Sequence, residues 1–329
     1  MLPTFIATLN PMLMLFLCMA VGYTACRSGV MPKDSASVLS KLETYVFCPA
    51  LSFVTMARYC TVDSLGAHGV NILLATVAIS VAIGIAIPLS GLFVKKGPRR
   101  GVYKYALAFG NFGYLGDPII QALFGDAMLS YYKMFTLPLS VLVYSWGIAV
   151  LVPKGEGKGL LKRIFNFPLI ALLLGIVFGI TGLGAHLPVF VGNTLDSLKA
   201  CMGPVAMLIA GFTVANYGMK EMLKNKGVYI ATGLRLFVLP AIIVAAVYGC
   251  KELLALIIGT PIDNNVVFLA FFAFAAPLGL NTVVFPAAYG EDTGTGASMA
   301  MISHTLCVVT IPILYALMTV IFGEVVPVQ

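Results

Sequence analysis

ALAFGNFGYLGDPII (106–120) is apolar enough to cross a membrane, yet it carries Gly110, Asn111, Gly113, Gly116, Asp117 and Pro118 near its middle. A straight helix is not built this way. Pro118 lacks an N–H and the glycines weaken helix propagation. Lipid offers no water to the backbone groups so freed, and such a break survives only against protein or a polar cavity. A second apolar stretch, AFAAPLGLNTVVFPAA (273–288), repeats the device with Pro277, Gly279, Asn281 and Pro286. Interrupted spans in corresponding positions of two halves point to a secondary transporter with its substrate near the bilayer midplane.

The rest of the chain fits that setting. Of 329 residues, 60% are hydrophobic and 10% charged, which places the chain among integral membrane proteins. The net charge of +7 lies in short links such as KKGPRR (95–100) and PKGEGKGLLKR (153–163), so it is a topology signal and not a nucleic-acid surface. At about 20 apolar residues per crossing, ten spans are expected: 5–26, 35–57, 68–94, 103–124, 128–152, 166–185, 189–216, 227–250, 266–289 and 297–323. The first carries no basic flank of a cleaved leader and is read as a retained helix. Alternating loops collect most Lys and Arg on one side and leave Arg58, Lys133 and Lys251 on the other. Lys41, Lys199 and Arg235 fall within spans. The basic side is then cytoplasmic and both termini are outside, in a plasma membrane. The seven cysteines are scattered, with no CxxC pair and no metal-ligand spacing, and read as small apolar residues; no cofactor or metal is expected.

The halves resemble each other. LNPMLMLFLCMAVGYTACRSGVMP (9–32) can be laid over FNFPLIALLLGIVFGITGLGAHLP (165–188), Pro11 on Pro168 and Pro32 on Pro188, and the match continues with Pro49 opposite Pro204. With five spans per half, the second copy enters from the opposite face. The expected fold is therefore an all-α membrane protein of two inverted five-helix repeats, 1–152 and 165–329, joined by a short basic loop at 153–164.

The GNFGYLGDPII and PLGLNTVVFPAAYGED segments, in this order of spans, resemble the auxin efflux carrier family, which includes plant auxin exporters and bacterial malonate and malate permease-like proteins. The resemblance runs over nearly the whole chain. It implies a scaffold of spans 1, 2, 6 and 7 that forms a homodimer, and a moving domain of spans 3–5 and 8–10 whose broken helices 4 and 9 cross at the substrate. Asn111 and Pro118 then fall on the first crossing helix, Asn281 and Pro286 on the second. The short central loop favours a permease of the bacterial inner membrane over a plant member. Asp117 stands where the family has mainly uncharged residues. The small-residue stretches Gly175–Gly184 and Ala20–Gly29 are candidate dimer contacts.

Half-helix N-termini at such breaks present free N–H groups and the positive end of a dipole, a receptor for a small organic anion such as a mono- or dicarboxylate. Asn111 and Asn281 could orient that carboxylate or cap the helix ends. Gly113, Gly116, Pro118, Pro277, Gly279 and Pro286 shape the backbone around it. Asp117, an ionisable group costing about 2.5–3.5 kcal/mol at membrane depth, is the candidate for coupling to a proton or sodium ion. It could instead cap the next half-helix or pair with a base such as Arg235. Arg235 itself could draw in an anion or rest on lipid phosphate. Asp196 and Lys199 are placed to neutralise each other, Lys41 and Glu43 to reach the interface, and His304 to be a satisfied interior histidine. Gly-Tyr-Leu-Gly-Asp (113–117) resembles the motif of intramembrane aspartyl proteases, but the preceding span holds no second acid. Neither HExxH nor GxSxG occurs, so an enzyme is not expected. A sodium-coupled bile-acid-type symporter and, behind it, a channel are the alternatives.

Overall fold

The computed structural model describes residues 2–32, 34–151, 167–216, 226–279, 281–282 and 294–325. Regular structure among them is helical: α1 (Leu2–Arg27), α2 (35–59), α3 (Leu65–Phe93), α4 (Pro98–Ala108), α5 (112–124), α6 (126–151), α7 (Phe167–Ile180), α8 (Val189–Asn216), α9 (Lys226–Ile258), α10 (Asn265–Ala275) and α11 (Gly294–Phe322). Five helical runs are long and apolar enough to cross a membrane: Leu65–Phe93, Phe112–Leu151, Val189–Asn216, Lys226–Ile258 and Gly294–Phe322.

The run Phe112–Leu151 has 40 residues, about 60 Å if straight against a hydrocarbon core of about 30 Å. It turns back at Gly125, whose φ of +79° only glycine adopts without strain. The contacts prove the hairpin. Tyr132 donates its hydroxyl hydrogen to the Phe112 carbonyl, and the Lys133 ammonium reaches Asp117. In one straight helix residues 117 and 133 would stand about 24 Å apart.

Four turns among the described residues are wound as π-helix: Glu43–Phe47 in α2, Phe112–Gly116 in α5, Val143–Gly147 in α6 and Leu234–Val238 in α9. In all but the α6 turn a proline follows the first residue by six: Pro49, Pro118 and Pro240. The cause is local. Proline withholds the N–H owed to the carbonyl four residues back, and its ring needs room there. Widening the turn lets Cys48, Asp117 and Leu239 donate instead to the carbonyls of Glu43, Phe112 and Leu234. The helix swells and does not break. Pro118, expected at the interruption, thus sits beyond it, and 112–118 is helical. The chain is unwound one step earlier, at 109–111, with Phe109 extended (φ −120°, ψ 134°).

The second interruption is at 276–279, after α10. The two breaks lie against each other as a short antiparallel pairing of Gly110 with Leu278, and the Asn111 N–H donates to the Pro277 carbonyl at 2.7 Å. Leu278 N–H donates to Ser303 Oγ of α11 at 3.0 Å. The Asn111 N–H freed by one break is thus satisfied by the other, and the Leu278 N–H by α11, as burial away from water requires. Both helices that lead into the pairing are enclosed. Val266 to Ala275 of α10 are all buried, and so are Tyr105 to Ala108 of α4.

Outside this core, glycines set how closely helices approach. A Cβ at Gly22 would meet the Leu208 backbone and one at Gly211 the Met19 and Tyr23 backbone, so α1 and α8 touch main chain to main chain. Gly175, Gly179 and Gly184 abut the α2 side at Phe53, Cys60 and Ala57 in the same way. Gly22, Gly175, Gly179 and Gly184, which belong to the small-residue stretches expected at a dimer contact, pack within the chain, while Val21, Val177 and Leu183 of the same stretches are exposed.

Candidate functional site

Beside the paired breaks is a cavity of about 100 Å³. Its walls include Gly110, Asn111, Gly113 and Asp117 of the first interrupted helix, Gly279 and Asn281 after the second break, and Lys133, Thr136 and Ser140 of α6. Cys48 and Ser52 of α2, and Pro168 and Leu172 at α7, close the opposite side. One wall is thus built from the broken helices and the α5–α6 hairpin, the other from α2 and α7.

Asn111 is buried, and its carbonyl accepts from the N–H groups of Leu115 and Gly116, but its side chain makes no capping bond. The amide nitrogen instead lies 3.3 Å from His304 Nε2. His304 Nδ1 is 2.7 Å from the Ala300 carbonyl, which can only accept, so Nδ1 carries the ring hydrogen and Nε2 accepts from Asn111. His304 is thus a satisfied interior histidine. Asn281 donates its amide hydrogen to the Tyr105 hydroxyl at 3.0 Å. Gly116 and Pro118 do not line the cavity: Gly116 backs onto the Tyr132 hydroxyl, where a Cβ would collide, and Pro118 is buried in the first turn after the π segment. Pro277 contributes its carbonyl to the pairing of the breaks. Pro286 lies outside the described residues, as does the 153–164 loop.

The charges are arranged differently from the expectation. Asp117 is fully buried and bonded to Lys133, a residue assigned by loop counting to the outer side; neither Arg235 nor a helix end is its partner. The hairpin at Gly125 creates this pair, and no local spacing announces it. Asp196 bonds Arg58 at 2.7 Å while Lys199 bonds Asp126. The expected Asp196–Lys199 pair is absent because each finds a partner on a neighbouring helix. Lys251, also assigned to a loop, is buried and donates to Asn264 Oδ1 at 2.7 Å. Glu43 does not reach the interface: it is 0% exposed.

Arg235 is 0% exposed as well, which excludes lipid phosphate as its partner. Its guanidinium sits where a Gly110 side chain would be, and donates through Nη2 to the Ala276 carbonyl at 3.3 Å. Nε and Nη1 have no partner among the described residues. Two half-helix C-termini, those of α4 and α10, end here with the negative ends of their dipoles, and a cation between them is the expected complement. Asp117 and Lys133 cancel, so Arg235 leaves a positive charge immediately behind the cavity wall.

The membrane transport protein family model matches over residues 7–160 and 156–315. An uncharacterized transporter of Methanocaldococcus jannaschii is 23% identical over 315 residues, covering 92% of this chain and 96% of the relative. An uncharacterized transporter of Methanothermobacter thermautotrophicus is 25% identical over 245 residues, covering 72% of this chain and 77% of the relative. Apolar helices, paired breaks at an interior polar cavity and a match across nearly the entire length agree. The chain is a multi-pass membrane protein that belongs to the membrane transport protein family, that of the auxin efflux carriers.

Proposed function

We propose that the chain is a secondary active transporter that carries a small organic anion, in the first place a mono- or dicarboxylate, by alternating access at the paired breaks. The observation that carries this is the electrostatics of the pairing: a buried Arg235 without a carboxylate partner among the described residues stands behind Gly110. On the cavity side, Phe112, Gly113 and Tyr114 form the first turn of α5, whose N–H groups have no acceptor within the helix. Both features favour an anion over a cation. Asn111 and Asn281 orient it. In this scheme the five-helix halves are inverted repeats. The hairpin and broken helices move against a scaffold of α1, α2, α7 and α8, which supplies the far wall and the contact of a homodimer. The basic links face the cytoplasm and both termini lie outside.

Uptake of labelled carboxylates and, as a counter-class, organic amines into proteoliposomes tests the proposal. Carboxylate uptake that falls in Asn111→Ala and Arg235→Gln is expected. Uptake of amines with exclusion of every carboxylate would overturn it.

A further inference from the structure

Glu43 is buried at 0% exposure, and neither carboxyl oxygen meets a donor among the described residues. It opens the π turn of α2, one turn before Cys48, whose N–H donates to the Glu43 carbonyl. Cys48 lines the cavity that holds Asp117 and Lys133. The next residue, Thr44, lies with its hydroxyl 3.1 Å from the Tyr114 hydroxyl. Tyr114 belongs to the π turn of α5, so the two swollen turns meet across the seam between the α2–α7 wall and the hairpin. π turns of this kind recur at functional positions.

The charged and titratable groups around Glu43 are few. Asp117 faces it from the hairpin and Cys48 from its own helix, and Lys133, bonded to Asp117, faces Cys48. The described part of α7 has no titratable side chain. On α8, Asp196 and Lys199 are held by Arg58 and Asp126, at the opposite end of α2, and Cys201 is exposed. Lys41 is exposed.

The ion pair and the lone carboxyl differ in one respect. Asp117 and Lys133 both belong to the α5–α6 hairpin, so a rigid motion of that hairpin carries the pair along unchanged. Glu43 is on the other side of the seam. The same motion changes what faces it, from a closed contact without a donor to water or the Lys133 ammonium. A carboxyl that meets two environments in one cycle has two proton affinities, and by linkage its proton is coupled to the motion.

We infer that Glu43, and not Asp117, is the proton-exchanging residue of the transport cycle, taking a proton from water when the seam opens to one side and releasing it when the seam opens to the other. Only the carboxyl O–H bond forms and breaks. This inference rests on alternating access at the paired breaks.

Two measurements on the purified full-length protein test it. Infrared difference spectra recorded across pH read the carbonyl stretch of neutral carboxylic acids without any substrate. A titrating acid band should vanish in Glu43→Gln, shift in Glu43→Asp and persist in Asp117→Asn. In proteoliposomes loaded with a pH-sensitive dye and given a malonate gradient, wild-type protein should move protons with malonate. Glu43→Gln should move malonate with no dye response and at a rate flat across pH, and Glu43→Asp should restore the response. A band that survives Glu43→Gln, or a Glu43→Gln variant with the wild-type pH profile, overturns the inference. If the wild-type protein moves no carboxylate, the proposed substrate class fails, while the infrared titration still decides Glu43.

Discussion

Gly110→Ala should unseat the pairing of the two breaks, whereas Gly113→Ala, three residues away, should not. A Cβ at 110 would meet the Arg235 guanidinium and stand 2.9 Å from the Ala276 carbonyl oxygen and 3.1 Å from that of Ala273. Two of these neighbours are backbone and cannot swing aside, so 109–111 must back away from 276–278. That movement lengthens the 2.7 Å bond from Asn111 N–H to the Pro277 carbonyl. Overpacking costs about 1–3 kcal/mol and a buried backbone group left unpaired about 1–3 more. Alanine's stiffer unfolded chain returns about 0.4–1 kcal/mol, so a net loss of about 1–6 kcal/mol is expected. At Gly113 a Cβ meets nothing within 4 Å, and stability should change by less than about 1 kcal/mol. Trp146 is the protein's one tryptophan, and its ring lies 5.9 Å from that of Phe109 at the break, so its emission during thermal unfolding reports the right place. Equal melting temperatures for the two variants, or a greater loss in Gly113→Ala, would refute the close-approach argument.

Other perturbations have equally definite outcomes. Asp117→Asn or Lys133→Met alone leaves a buried charge uncompensated and should cost about 3–5 kcal/mol, while the double variant recovers most of it; additive losses in a thermal double-mutant cycle would contradict the pair. Asn111→Ala should weaken carboxylate binding by about 1–3 kcal/mol, read by equilibrium binding, and unchanged affinity would remove it from the site. Arg235→Gln should lower that affinity by about tenfold, or about 1.4 kcal/mol, and no change would show its charge to be screened from the cavity. Gly179→Leu should separate α7 from α2 and abolish a monodisperse protein in size-exclusion chromatography; a well-folded variant would contradict the backbone contact.

Much of the site was legible because membrane helices penalise glycine, proline and asparagine in their middles. Asn111, Gly113, Gly279 and Asn281 were singled out on that penalty, the asparagines also on the family resemblance, and Asp117 on the cost of a charge at membrane depth; all five line the cavity. The location of the break was displaced because Pro118 is absorbed by a π turn; the interruption follows Gly110, where close approach forbids a side chain. Lys133 and Glu43 were misplaced for a different reason, and Arg235, rightly set within a span, was left with lipid phosphate as one of its two readings. Loop counting assigns charges by sequence distance from span ends, but Gly125 folds Lys133 onto Asp117, and tertiary packing decides what covers a charge within a helix. A usable signal was present. Glu43 precedes Pro49 by six residues and Arg235 precedes Pro240 by five, so each charge falls in the turn that a proline forces to swell. Ion pairs between helices, such as Arg58 with Asp196, left no such mark.

Carriage of a carboxylate at the paired breaks is tested most directly by its native thiol. Cys48 is partly exposed and lines the cavity opposite Asn111 and Asp117. In a protein with Cys18, Cys26, Cys60, Cys201, Cys250 and Cys307 replaced by alanine, the rate at which a small maleimide alkylates Cys48 can be followed as carboxylate is added. The carboxylate carried fastest into proteoliposomes should slow the alkylation, with the same half-saturation as its uptake. A carboxylate that is transported while the Cys48 rate stays constant would place the substrate elsewhere.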